Sequence, residues 1–155
     1  MKTSLRTVLF ILCLGLSPVH AENSVFTYSV EKPIAQIYDK LVESLESARL
    51  YVVLEPDIGG NLSSFAERWG DEYNQNRLTA IRSMVFCNGW YANQVSNRDP
   101  QMLALCPLSL TLIEKDGKTT ALFARPSVIA ADSPAKDIVA ELESHVIAAI
   151  RNGMN

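Results

Sequence analysis

Two cysteines and two methionines are the residues of this sequence whose types and positions point most directly to chemistry. Met84 lies three residues before Cys87, and Met102 lies four residues before Cys106. Two thiols form a disulfide where conditions are oxidising. As thiolates, with thioethers beside them, they also suit Cu(I). The compartment of the protein therefore decides how this group is interpreted.

The N-terminal segment has the layout of a secretory signal peptide. Lys2 and Arg6 give a positive start, an apolar run follows over residues 8–16, Pro18 interrupts it, and Ala21 supplies the small residue expected at a cleavage site. The apolar run is shorter than the roughly 20 residues that cross a bilayer. The sequence predicts a signal peptide over residues 1–21 and a single exported domain, periplasmic or secreted, over residues 22–155.

Export favours a structural disulfide between Cys87 and Cys106. Cys13 leaves with the signal peptide, so the mature chain keeps an even pair in an oxidising compartment. The alternative is a reactive pair, used for thiol redox chemistry or for holding Cu(I) with Met84 and Met102. Cys87 is predicted just before a helix, where the pKa of a thiol falls, although methionines often only fill a core. The disulfide is the first prediction, and the reactive pair remains open.

The sequence contains no evident catalytic set. His145 is the single histidine of the mature chain, and it lies between the apolar positions Leu142 and Val146 of a predicted helix. A Ser-His-Asp or Cys-His arrangement would have to use it. A zinc site normally needs four ligands, and the mature chain has no Cys-x-x-Cys motif. The sequence therefore leans towards a protein that is not an enzyme and that requires no cofactor.

Aromatic and amide side chains near the cysteines predict a binding surface. Such groups fix small ligands in pockets, although aromatic residues also often belong to a core. Further candidates for an anionic or polar ligand are Arg82 and Arg125, and Trp69 and Tyr73 are further aromatic candidates. The predicted binding residues, for an unknown small ligand or protein partner, are Cys87, Asn88, Trp90, Tyr91, Asn93 and Cys106.

The charge of the chain excludes some classes of partner. The formal net charge is −3, and loss of Lys2 and Arg6 with the signal peptide lowers it to −5. Nucleic acids and anionic membrane surfaces both reward a basic face. No second apolar segment reaches spanning length, so we expect no nucleic-acid partner and no membrane span after cleavage.

The elements that must position these residues alternate between strand and helix patterns. Asp116-Gly117 is typical of a tight hairpin turn, and Ser133-Pro134 is typical of a helix start. The predicted order is a strand over 24–30, a helix from Pro33 to Ala48, a buried strand over 50–54, a helix capped by Asn61 and ended by Gly70, a strand over 78–87, a short helix over 90–95, a hairpin over 108–124, and a helix ended by Gly153. This order favours an α+β fold, a single two-layer α/β sandwich with a mainly antiparallel sheet, a C-terminal β-hairpin and packed helices.

A run of short motifs resembles a known family. Cys87-Asn88, Asp99-Pro100, Leu105-Cys106-Pro107 and the turn ending at Gly117 are similar in order and spacing to the domain of unknown function 302 family, over about Phe26 to Ile150. Gly89 stands where the family often has proline, and Leu-Cys-Pro stands where it has Leu-Pro-Cys. The resemblance implies a compact α+β domain that is often dimeric, so a homodimer is expected, with no established activity.

Overall fold

Five strands and the helices between them are present in the computed structural model, which describes residues 24–155. The predicted signal peptide lies outside the described residues. In chain order the elements are β1 (Val25–Val30), α1 (Ile34–Ser47), β2 (Tyr51–Leu54), α2 (Ile58–Ser63), α3 (Ala66–Trp69), a 3-10 helix (Gly70–Glu72), β3 (Ala80–Cys87), α4 (Gly89–Arg98), a second 3-10 helix (Pro100–Leu105), β4 (Leu108–Lys115), β5 (Lys118–Ala124), α5 (Pro126–Ile129) and α6 (Lys136–Met154).

The strands form one antiparallel sheet in the order β1-β5-β4-β3-β2. Helices α1 and α6 pack on one face of this sheet, and the main core lies between the two layers. Alternate residues of the strands enter this core, among them the fully buried Phe86, Leu110, Leu112 and Phe123. The predicted α+β two-layer sandwich is confirmed.

The pair formed by α1 and α6 follows from their apolar stripes. Ile34, Ile37, Leu41 and Leu45 are the buried residues of α1, and their spacing of three and four places them on one face. Gly153 does not end α6, as the sequence predicted, since the helix continues to Met154. A Cβ at Gly153 would lie 2.7 Å from the Cα of Leu41, so this glycine allows the two helices to approach closely.

The predicted hairpin is present as β4 and β5. Lys115 pairs with Lys118, and the two residues between them, Asp116 and Gly117, have φ angles of 51° and 75°. Two consecutive left-handed residues give the turn whose twist matches that of the strands. The hairpin forms the centre of the sheet together with β3.

Two helix starts differ from the sequence prediction, α2 in its capping residue and α6 in its first residue. Helix α2 begins at Ile58, and the side chain of Asp57, rather than Asn61, accepts a hydrogen bond from the Gly60 amide. Helix α6 begins at Lys136, where Ser133 Oγ accepts from the Ala135 amide one turn before the helix proper.

The strand predicted as buried is an edge strand. Among residues 24–155, β2 pairs only with β3, and Tyr51, Val53 and Leu54 are 57 %, 64 % and 60 % exposed. An apolar run of four or five residues does not by itself distinguish a central strand from an edge strand, because both are rich in β-branched and aromatic residues. The exposed side chains of β2 therefore form apolar surface at this edge of the sheet.

Candidate functional site

The two cysteines meet at one end of β3. Cys87 is the last residue of that strand, and Cys106 follows the second 3-10 helix and precedes β4. Their sulfurs lie 3.1 Å apart as free thiols in an S–H···S contact. This distance is longer than the roughly 2.05 Å of a disulfide bond. The fold therefore brings the predicted pair together without a bond between them.

The surroundings of Cys106 hold its thiol in the protonated form. Burial, followed by the hydrogen bond and the charge of Cys87, raises the pKa of Cys106 from its ordinary value of 9.0 to about 11. The thiolate is the nucleophile and the metal ligand. At neutral pH, Cys106 therefore lacks the activation that a reactive cysteine normally shows.

The two methionines do not share one environment. Met102 and both cysteines line a small apolar pocket of about 30 Å³, together with Leu105 and Val139. Met84 is fully buried in the main core and does not line this pocket. Among residues 24–155, no group of three or more His, Cys, Asp and Glu residues is placed to hold a metal ion.

Asn88 fixes the start of the helix that follows Cys87. Its Oδ1 accepts hydrogen bonds from the amides of Trp90 and Tyr91, at 3.0 and 3.1 Å, and its Nδ2 donates to the carbonyl of Arg49 at 3.0 Å. Asparagine is among the best N-cap residues because its short side chain reaches these orphan amides. Asn88 therefore links the strand carrying Cys87, helix α4 and the chain segment before β2.

Trp90 lies in an open cleft of about 550 Å³, which we call the Trp90 cleft. Its lining consists of Ser47, Ala48, Arg49, Tyr51, Asn88, Gly89, Trp90, Tyr91 and His145. Trp90 and Tyr51 are each 57 % exposed. The cleft presents aromatic surface and no acidic side chain among its lining residues.

Tyr91 is a buried residue that forms part of the wall of this cleft. Its ring makes an edge contact with Trp90, with 4.9 Å between the centroids, and its hydroxyl donates to Glu141 at 2.9 Å. Burial, followed by Glu141, raises the pKa of Tyr91. His145 Nε2 donates to the carbonyl oxygen of Ala48, 2.8 Å away, and His145 lies on the exposed side of α6. These contacts fix Tyr91 and His145 in the wall of the cleft, whereas the side chain of Trp90 is exposed to solvent.

Sequence reasoning named some of these residues and missed others. Asn88, Trp90 and Tyr91 lie together in the Trp90 cleft, whereas Asn93 is exposed on α4 and does not line it. Arg49 and Tyr51 were missed, because only the edge position of β2 exposes them. Arg125 does not enter the cleft; its Nε donates to the buried Glu143 at 2.7 Å.

A second and larger cleft, of about 930 Å³, lies at the opposite end of β3. We call it the Arg82 cleft; its walls are the first half of α1, the segment from α2 to Leu78, and the start of β3. Trp69, Tyr73 and Arg82, all named from the sequence, line it. Tyr38 of α1 also lines it, although no sequence motif marks this residue. The predicted binding residues and the further aromatic candidates thus belong to two separate clefts.

The architecture and the cysteine-bearing strand end define a small α+β sandwich domain. The chain matches the family described as Domain of unknown function DUF302 over residues 26–153, and it therefore belongs to this family. The crystal structure of an uncharacterised conserved DUF302 protein from Bacillus stearothermophilus has the same fold, with a TM-score of 0.72 at 18% sequence identity, over 86% of this chain and all of that one. A comparison with curated proteins gives no match. No helix within residues 24–155 is long and apolar enough to cross a membrane.

Proposed function

We propose that this protein is an exported, non-catalytic binding protein whose partner is a protein segment that docks in the Trp90 cleft. The observation that carries the proposal is the exposure of two large aromatic side chains, Trp90 and Tyr51, in one open cleft. Tryptophan and tyrosine are enriched among the residues that dominate binding energy at interfaces. Exposed apolar surface bordered by polar groups is typical of interaction sites.

The chemistry around the cleft indicates the kind of segment that would bind. Arg49 and His145 line it without an acidic neighbour among the lining residues. No strand within residues 24–155 pairs with the outer edge of the adjoining strand β2, in which Val53 and Leu54 are exposed. An extended chain can add to such an edge through main-chain hydrogen bonds. These features support a partner segment that is extended and apolar and that carries an acidic group.

We further propose that Cys87 and Cys106 form a structural disulfide in the exported protein. The two thiols would transfer two electrons and two protons to a disulfide-exchange catalyst of the oxidising compartment. Their sulfurs are already in contact, and an S–S bond requires them to approach by only about 1 Å. Because Cys87 immediately precedes the helix cap Asn88, the bond would fix the wall of the Trp90 cleft.

The test is site-specific crosslinking in the native exported compartment. A photo-crosslinking amino acid placed at position 90 is expected to capture one defined protein, and the same amino acid at the exposed Lys40 of α1 is not. With that protein purified, Trp90→Ala should weaken its binding at least tenfold, while Lys40→Ala leaves binding unchanged. Capture of a second copy of this chain would instead make the cleft a homodimer interface. No product specific to position 90 would contradict the proposal.

A thiol redox or Cu(I)-handling role is the second candidate, because Cys87, Cys106 and Met102 line one pocket. Two sulfurs bound to one metal by bonds of about 2.3 Å lie up to about 4.6 Å apart, so a linear site would require the present 3.1 Å contact to open. Competition for Cu(I) against a chromophoric chelator tests this role. Binding of one Cu(I) that is lost in Cys106→Ser would favour it over the disulfide.

A further inference from the structure

The base of the Arg82 cleft contains a buried guanidinium nitrogen without a hydrogen-bond partner. Arg82 Nε is buried and has no hydrogen-bond partner, and within residues 24–155 no carboxylate forms an ion pair with this side chain. The guanidinium lies over the ring of Tyr38, 5.1 Å from its centroid. Buried polar groups in proteins are normally hydrogen-bonded, because leaving water without compensation is costly. The buried Nε–H group is therefore free to donate to a ligand in the cleft.

Tyr38 provides a second unused donor at the same place. Its hydroxyl oxygen is also buried without a hydrogen-bond partner. Burial, followed by the nearby Glu55, raises the pKa of Tyr38 to about 12 against the opposing effect of Arg82. The phenol is therefore protonated at neutral pH and available as a donor. Two neighbouring donors without acceptors are complementary to a carboxylate.

Two further polar residues of the cleft, Glu114 and Asn74, are already engaged. Glu114 accepts from the Ile34 amide at 2.7 Å and from Thr79 at 3.0 Å. Asn74 closes its own loop by bonding both the amide and the carbonyl of Leu78 at 2.9 Å. Among residues 24–155, Arg82 Nε and Tyr38 Oη are the buried side-chain atoms that have no hydrogen-bond partner.

The walls and rim of the cleft define the rest of the ligand. Trp69 and Tyr73 supply aromatic surface, and Trp69 is 39 % exposed. Asp39, Asp57 and Glu72 are exposed at the rim. These acidic groups, together with Glu55 near the Tyr38 hydroxyl, repel phosphates and other polyanions, and they attract a cation. The volume of about 930 Å³ is in the range of small-molecule sites.

We propose that the Arg82 cleft binds a small zwitterion of the apolar amino-acid class. Its carboxylate would accept from Arg82 Nε and Tyr38 Oη, its amine would face the acidic rim, and its side chain would lie against Trp69 and Tyr73. This site lies at the opposite end of β3 from the Trp90 cleft. The inference is therefore independent of the proposed protein partner.

Isothermal titration calorimetry with a matched set of probes tests the inference. L-phenylalanine should bind, 3-phenylpropionate should bind more weakly because it lacks the amine, and phenethylamine and inorganic phosphate should not bind. Equal binding of phenethylamine and L-phenylalanine would mean that the acidic rim alone attracts a cation, and this would overturn the role of Arg82. No binding of L-phenylalanine would overturn the site, leaving water as the occupant of the cleft.

Two variants separate a binding role from a structural one. Tyr38→Phe and Arg82→Gln should each weaken L-phenylalanine binding by about ten- to hundredfold, the usual effect of losing a hydrogen bond to a charged group. Arg98→Gln, on the exposed face of α4, should leave binding unchanged. Because the Tyr38 hydroxyl has no partner, Tyr38→Phe should unfold at the same temperature as the wild type or higher. A variant that loses stability and keeps its affinity would refute the assignment.

Discussion

Oxidation of Cys87 and Cys106 to a disulfide is expected to make the protein markedly more stable. The two cysteines are 19 positions apart, and the segment between them contains α4 and the second 3-10 helix. A crosslink of this span removes conformational entropy from the unfolded chain and leaves the folded chain almost unchanged, since the sulfurs are already 3.1 Å apart. For a loop of this length the chain-entropy relation gives about 3 kcal/mol at 25 °C.

This free energy corresponds to a measurable change in melting temperature. For a domain of this size, with an unfolding entropy of about 2.1 cal/mol/K per residue, 3 kcal/mol raises the Tm by about 10 °C. The experiment compares the oxidised protein, its state verified by mass after alkylation, with the same protein in reductant. Cys106→Ser, measured in both conditions, is the control that lacks the bond.

The outcome distinguishes the bond from its alternatives. We expect the reduced wild type and Cys106→Ser to melt within about 2 °C of each other, because a surface S–H···S contact contributes little. A verified disulfide that leaves the Tm unchanged, or lowers it, would refute the reasoning. It would mean that forming the S–S bond distorts the end of β3 and that the free energy of this distortion cancels the stabilisation by the crosslink.

Three further predictions concern packing, charge and the exposed tryptophan. Gly153→Ala should destabilise the fold by about 1–3 kcal/mol in urea unfolding, because the new Cβ would lie 2.7 Å from the Cα of Leu41. Gly89→Ala is the control and should be neutral, because a Cβ there has no neighbouring atom within 4 Å. Equal effects of the two substitutions would contradict this packing. Burial of Glu143 alone would raise its pKa, but hydrogen bonds from Ser127 and Arg125 outweigh this and lower it. The stabilisation of the fold by ionised Glu143 is then complete above about pH 4.3, the pKa of the unfolded state, and is lost as the pH falls through the lower pKa of the folded state. Glu143→Gln should therefore lower the free energy of unfolding by about 1–3 kcal/mol at pH 7 and by progressively less in acid. A loss that does not depend on pH would refute the ion pair. Trp90→Ala should change the free energy of unfolding by less than about 1 kcal/mol, since the side chain is 57 % exposed, and a larger loss would show that Trp90 is part of the core.

Local sequence signals predicted the fold well where one residue type decides the local geometry. Asp116-Gly117 fixed the hairpin because two left-handed residues are needed there, and the stripe from Ile34 to Leu45 fixed α1 because its period matches one helical face. The helix caps were less predictable. Asp57 and Asn61 are both good cap residues four positions apart, and only the path of the chain into α2 selects Asp57.

The sites were predicted only in part, because their lining comes from distant segments. Asn88, Trp90 and Tyr91 are adjacent in the chain, so the sequence could group them. Arg49 and Tyr51 join them only because Asn88 bonds to the carbonyl of Arg49 and β2 is the last strand of the sheet. Tyr38 and Arg82 are separated by more than 40 positions in the chain and meet because α1 packs over β3.

The sequence by itself determined the class of fold and the likeness to its family, since these follow from periodicity and motif order. Only the tertiary structure decided which aromatic side chains are exposed to solvent and which buried polar groups lack hydrogen-bond partners. Exposure and hydrogen bonding are properties of the whole packed chain: Tyr91 is buried on α4, Tyr51 is exposed on the edge strand, and Tyr38 has a buried hydroxyl without a hydrogen-bond partner.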